Sequence, residues 1–247
     1  MKNTKQISLL ILLLGHLLTI LDIFIVNIAI PSIQRGLGSN NGKMQLVVSM
    51  YMVGFASFLI IGGKIGDYYG RKKIFILGMF LFMICSAGCG FAGTIDDLIL
   101  LRFFQGISAA LMSPQVLSYI QVLFTDHKER THAMGWYGIA IGIGTMLGQF
   151  LGGSLVELKP FLIDHSWRYI FLINIPICAA GLLLATRFLT QSRDSSSMQI
   201  DYLSAVILCG GLAILVFSLS TGVEQNGSVK IGLLLSILFF LLLYSDR

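Results

Sequence analysis

Eight stretches of apolar, almost uncharged sequence follow one another along this chain with short polar breaks, near residues 7–31, 45–63, 74–95, 98–124, 133–156, 169–187, 202–221 and 231–245. About 20 such residues suffice to span a bilayer as a helix. Inside hydrocarbon every backbone N–H and C=O must find a partner within its own segment or a closed barrel, so runs of this length become helices. The fold class expected is therefore all-α, a polytopic membrane protein. Composition agrees, with 55% hydrophobic and 12% charged residues where a soluble domain has about a quarter charged. A soluble enzyme, a nucleic-acid-binding module and a secreted disulfide scaffold are all excluded.

The positions of the charges carry more than their sum of +5. With the amino terminus inside, the inner loops and termini hold Lys2, Lys5, Lys64, Arg71, Lys72, Lys73, Lys128, Arg130, Arg187, Arg193 and Arg247, against Arg35, Lys43, Lys159, Arg168 and Lys230 outside. The positive-inside rule then puts both termini in the cytoplasm. The first run is too long for a signal peptide and reads as a retained span. A Ser-rich polar segment divides the chain into an expected six-helix unit (1–190), a cytoplasmic linker (191–200) and two additional helices (201–247). Cys85, Cys89, Cys178 and Cys209 lie in apolar runs without metal-ligand spacing and read as packing residues, with no metal site expected. His16 reads as a hydrogen-bonded interior residue, and His127 and His132 as part of a solvated charged loop.

Apart from Arg187 at the last position of the sixth run, only Asp22 and Arg102 carry charge within the runs. An intramembrane carboxylate costs about 3 kcal/mol on the insertion scale, so Asp22 should face a cavity, a cation or a neighbouring helix rather than lipid. At 1.5 Å per residue it lies about 22 Å into its helix, and Arg102 about 8 Å into a helix entering from the opposite side. Both then fall in the outer half of the membrane. Two readings of Asp22 stand at this point: a protonated side chain hydrogen-bonded between helices, or a carboxylate that takes up and releases a proton beside Arg102. Arg102 either snorkels to the interface or faces a cavity.

The segment Gly63-Lys64-Ile65-Gly66-Asp67-Tyr68-Tyr69-Gly70-Arg71-Lys72-Lys73 reads as a glycine-rich basic loop. It resembles the G-x-L-a-D-r-x-G-r-k-x signature between helices 2 and 3 of the major facilitator superfamily. Leu21-Asp22 through Asn27, Ala29 and Pro31 is similar to L-D-x-T-v-v-N-v-A-L-P of its 14-helix drug:proton antiporters, though Ile23-Phe24 lacks the usual Thr. Arg102, Gln105 and Gly106 match the helix 4 pattern R-x-x-q-G. Gly135, Gly144, Gly148, Gly152 and Gly153 reproduce the helix 5 antiporter spacing, with Gln149 in place of proline, and Trp167 to Pro176 is similar to W-R-x-x-F-x-I-N-x-P at helix 6.

The resemblance implies the amino-terminal part of such a transporter: one six-helix half-bundle plus two helices that this subfamily inserts between its halves. It implies proton-coupled efflux by alternating access, driven by the proton motive force with no cofactor and no catalytic residues. Asp22 and Arg102 would couple protons, Gly63, Asp67, Gly70 and Arg71 would form a conformational latch, and the helix 4 and helix 5 motifs would shape the moving interfaces. Gln149 would give the helix 5 interface a polar group, and Trp167 would sit at the outer membrane interface. The expected partners are a lipophilic or cationic small molecule, protons, membrane lipid, and either a carboxy-terminal half or a second copy, with no nucleic acid. The expected location is the cell membrane. A transport-inactive truncated protein and a proton-coupled small-solute symporter or uniporter are the alternatives.

Overall fold

The computed structural model describes residues 2–159 and 164–193, with four further helical positions at 207, 210, 211 and 214. Among the described residues the only regular structure is helical: α1 (Lys2–Leu37), α2 (Asn41–Tyr69), α3 (Arg71–Phe91), α4 (Ile95–Leu123), α5 (His127–Glu157), a 3-10 turn at Ser166–Arg168, α6 (Tyr169–Leu172) and α7 (Asn174–Phe188). The expected helices at 202–221 and 231–245 lie outside the described residues, apart from those four positions. The first six apolar runs each contain a helix, and five of the helical segments are long and apolar enough to cross a membrane. The exception is α4, whose polar residues lower its apolarity; they turn inward, and Arg102, Gln105, Ser108, Ser113 and Gln115 are all buried.

Most of these helices overrun the apolar run that announces them, because capping rather than hydrophobicity sets their ends. Asn40 accepts from the backbone N–H of Lys43 at 2.9 Å. Thr94 and Asp97 close a reciprocal box at the start of α4, and Asp126 accepts from the N–H groups of Lys128 and Glu129 at 3.0 and 3.1 Å. Each satisfies donors that the first turn leaves open.

The 63–73 segment is not a loop. Helix α2 runs to Tyr69 and α3 starts at Arg71, so the reversal uses Gly70 alone, at φ 108°. That region of backbone space is open to glycine and costly for residues with a Cβ. The sixth span, Ser166–Phe188, is broken at Ile173. Pro176 has no N–H to give the Leu172 carbonyl four residues earlier, which accounts for the interruption there.

Helix α4 packs chiefly on α2 and α3, α5 on α1, and α7 on α3. Two apolar clusters result, one including Leu9–Leu18 side chains of α1 with Phe75, Met112 and Phe124, the other including Leu21, Val26, Ile33, Met44, Leu98 and Trp167. The polar side chains of the site lie between them along α1.

Candidate functional site: a buried ion pair between three helices

Asp22 on α1 and Arg102 on α4 are 0% and 1% exposed, and Arg102 Nη1 donates to Asp22 Oδ2. The same nitrogen donates to Gln105 Oε1 at 2.8 Å, while Gln105 Nε2 donates to Asp22 Oδ1 at 3.0 Å. From α7, Asn174 Nδ2 donates to Asp22 Oδ1 at 3.2 Å and to Ser86 Oγ at 3.0 Å. Ser86 passes a hydrogen bond on to the Phe171 carbonyl at 2.9 Å. Asp22 thus accepts from three donors on two other helices, the set an ionised carboxylate takes. Arg102 does not snorkel. Its Nε reaches the Val47 carbonyl at 3.4 Å, and its guanidinium carbon sits 4.3 Å from the Tyr51 ring centroid, a cation–π contact.

Burying two charges is costly unless each is paired and its remaining hydrogen-bonding capacity met. Here α1, α4 and α7 are tied through that requirement, so a change in the charge of Asp22 alters the contact of all three. Asp22, Arg102 and Gln105 are candidates legible in the sequence, and the structure brings them together. Tyr51, Ser86 and Asn174 complete the cluster without having been singled out. Asn174 carried a signal in the helix 6 motif, whereas Ser86 and Tyr51 carried none.

Gly106 faces the Tyr51 carbonyl so closely that an added Cβ would collide with it, and Gly54 and Gly62 stand likewise against α4 backbone. These contacts bring α2 and α4 close enough for Arg102 to lie on Tyr51. On α5 the glycines divide. Gly144, Gly148 and Gly152 press on α1 at Leu17–Ile20, Leu21–Ile25 and Ile25–Ile28, but Gly135 and Gly153 have open space where a side chain would be. Gln149 is exposed, so the polar group expected at the α1–α5 interface points away from it.

At the α2–α3 junction, Arg71 donates to Asp67 Oδ1 through Nε at 2.9 Å and Nη2 at 2.7 Å. Its Nη1 reaches Ser192 Oγ at 3.2 Å and its backbone N–H the Ser192 carbonyl at 2.9 Å. Tyr119 donates to the Thr190 carbonyl at 2.8 Å. The segment after α7 is therefore laid across the junction, with the Gln191 amide against Gly70. Gly63 stands apart from this network, near Pro114.

Two single-residue expectations change. Trp167, at the start of its span, is fully buried against Gly36 and Phe171 rather than exposed at the surface, and neighbouring Arg168 donates to the Gly90 and Ala92 carbonyls at 2.9 Å each, closing the end of α3. His16 is interior, but neither ring nitrogen has a hydrogen-bond partner among the described residues; the ring stacks on Tyr137 of α5 at 4.3 Å. Among the described residues no cluster suited to a metal is present.

Comparison with known proteins places these features in context. The Major Facilitator Superfamily matches residues 12–245. The puromycin resistance protein pur8 of Streptomyces alboniger is 34% identical over 85% of this chain and 41% of its own length. Multidrug resistance protein 3 of Bacillus subtilis is 34% identical over 94% of this chain and 44% of its own. The chain therefore spans less than half the length of these curated relatives. Among solved structures, a bacterial homologue of the human lysosomal transporter Spinster superposes with TM-score 0.69 at 18% identity, covering 96% of this chain and 60% of that one. The inward-open xylose transporter XylE of E. coli gives TM-score 0.66 at 18% identity, over 92% and 56%. At such identities the likeness is one of fold.

Proposed function

The chain belongs to the Major Facilitator Superfamily, a family of multi-pass membrane transporters and not of enzymes, and on that premise we propose that it takes part in proton-coupled efflux of lipophilic or cationic compounds. It does so as the first half-bundle, residues 1–190, of a longer or two-part transporter in the cell membrane. Residues 191–200 are the cytoplasmic linker, 201–247 two further helices, and both termini face the cytoplasm. The drug-resistance names of the relatives support the substrate class, and the lysine and arginine distribution supports the orientation.

The observation that carries the reading is the buried Asp22–Arg102 pair, cross-linked by Gln105 and Asn174. A proton arriving on Asp22 removes the charge that holds Arg102 and converts an acceptor into a donor, so the ties between α1, α4 and α7 must rearrange. Alternating access then exchanges a proton moving in for a compound moving out. Gly63, Asp67, Gly70 and Arg71 form the latch on the cytoplasmic side, Gly63 lying outside its hydrogen-bond network and beside Pro114. Gly106 and the helix 5 glycines Gly144, Gly148 and Gly152 are the smooth surfaces on which helices shift.

The test is drug-dependent proton flux in everted vesicles containing the chain with its complementary half. The expected result is a flux that Asp22→Asn abolishes while the variant still reaches the membrane in normal amount. Undiminished flux in that variant overturns the coupling role. The second reading, an inactive chain, rests on its spanning 41% of the length of a relative; it predicts no flux under any pairing.

A further inference from the structure

We propose that the cavity between the second half of α1 and the first half of α2 is a binding subsite for an uncharged compound that carries hydrogen-bonding groups on an apolar body. This inference rests on the transport reading and narrows its substrate class. The cavity has a volume of about 490 Å³, within the roughly 300–1,000 Å³ of small-molecule sites. Its wall takes Asn27 from α1 and Asn41, Gln45 and Ser49 from α2, with Met44 and Met52 among its apolar groups.

The polar atoms of that wall are open to a ligand. Ser49 is 7% exposed, and its hydroxyl has no hydrogen-bond partner among the described residues. Buried hydroxyls are normally satisfied, so one left open on the wall of a cavity marks a place for a ligand's polar group. Asn41 Oδ1 accepts from Gln34 Nε2 at 2.9 Å, which leaves the N–H groups of Asn41 to donate elsewhere. Asn27 and Gln45 present exposed amides. Donors and acceptors are thus both at hand, and none of the lining residues is ionisable. An ion entering here would give up its hydration without meeting a counter-charge, whereas an uncharged compound with amide or hydroxyl groups exchanges water for these side chains. The flexible methionine side chains adapt the apolar part to compounds of different shape.

Position separates this subsite from the proton. Asn27 follows Asp22 by five residues, about 8 Å along α1 and about 140° around it. Asp22 is 0% exposed and turned towards α4 and α7. Compound and proton therefore do not compete for one carboxylate. The link between them is mechanical: Arg102, which holds Asp22, also donates to the Val47 carbonyl at 3.4 Å, next to Val48 and Ser49 of the cavity wall. Releasing Arg102 frees α1 and that stretch of α2 together, and the cavity lies between them.

The test measures equilibrium binding of two probes to the full chain in lipid nanodiscs. One is chloramphenicol, uncharged with hydroxyl and amide groups; the other is tetraphenylphosphonium, a lipophilic cation with no hydrogen-bond donor. Chloramphenicol should bind, and Ser49→Ala and Gln45→Leu should each weaken it about fivefold, the loss of one hydrogen bond. Both variants should melt at the parent temperature, since neither removes a hydrogen bond within the chain. Folded Asp22→Asn should still bind chloramphenicol. No binding by the parent, or binding that neither Ser49→Ala nor Gln45→Leu weakens, overturns the subsite. Tetraphenylphosphonium binding that falls in the same two variants overturns the uncharged class, and loss of chloramphenicol from folded Asp22→Asn overturns the separation from the proton. Binding that behaves as expected beside a proton flux that survives Asp22→Asn overturns the coupling role and supports the subsite.

Discussion

Arg102 is the side chain whose surroundings say most about this protein. It has one carboxylate, one amide oxygen and one carbonyl to donate to, and an aromatic face to lie on, with almost no water in reach. Removing one member of a buried pair typically costs about 3–5 kcal/mol because the other is left uncompensated. Asp22→Asn should therefore lower the melting temperature of the detergent-solubilised chain, and adding Arg102→Gln should recover most of that loss without restoring proton coupling. A double variant no more stable than the single one would show that the pair is not what destabilises Asp22→Asn. Asp22 and Arg102 stand out in the sequence because charge is scarce in apolar runs. Ser86 and Tyr51 are hidden there for the converse reason, since an uncharged polar residue on an apolar helix costs little and is common. The burial of Trp167 was not legible either, because an aromatic near a span end suits an interface and a core equally well.

At the level of the helices, glycine is informative only where something stands against it. An added Cβ at Gly106 meets the Tyr51 carbonyl and the Phe55 amide, whereas one at Gly153 meets nothing within 4 Å. Gly106→Ala should cost about 1–3 kcal/mol by overpacking, and Gly153→Ala should leave the chain unchanged or gain up to about 1 kcal/mol from helix propensity. Thermal melts of the two variants against the parent separate these outcomes; equal losses would mean that close packing is not what these glycines share. From sequence spacing the helix 5 glycines look like a single motif, but three face α1 and two face outward, and only three-dimensional context could sort them. The helix ends were obscure for a related reason. Hydropathy marks the slab of hydrocarbon, while Asn40, Thr94 and Asp126 mark where the backbone turns helical. Only at Gly70 did the expected glycine-rich loop contract to a single residue.

For the molecule as a unit, the described helices account for one half-bundle, and α5 leaves the large side chains of Trp136, Ile139, Ile143, Met146 and Phe150 exposed. Drug-dependent proton flux should appear only when a complementary half is co-expressed, and flux from this chain alone, at the same protein level, would show instead that it assembles with itself. The all-helical membrane fold was legible from eight apolar runs, as was the likeness to a transporter family from five ordered motifs. The way the segment after α7 crosses Arg71 was not, because nothing local in Thr190–Ser192 distinguishes it from a linker. One property of the buried layer reaches beyond chemistry. As it stands, Asp22 and Arg102 cancel, so the layer is electrically silent. A single added proton turns it into one unit of positive charge held deep in the membrane, and such a charge feels the transmembrane voltage, about 2.3 kcal/mol per 100 mV if it crosses the full drop. The coupling step proposed for Asp22 should then respond to voltage as well as to proton concentration.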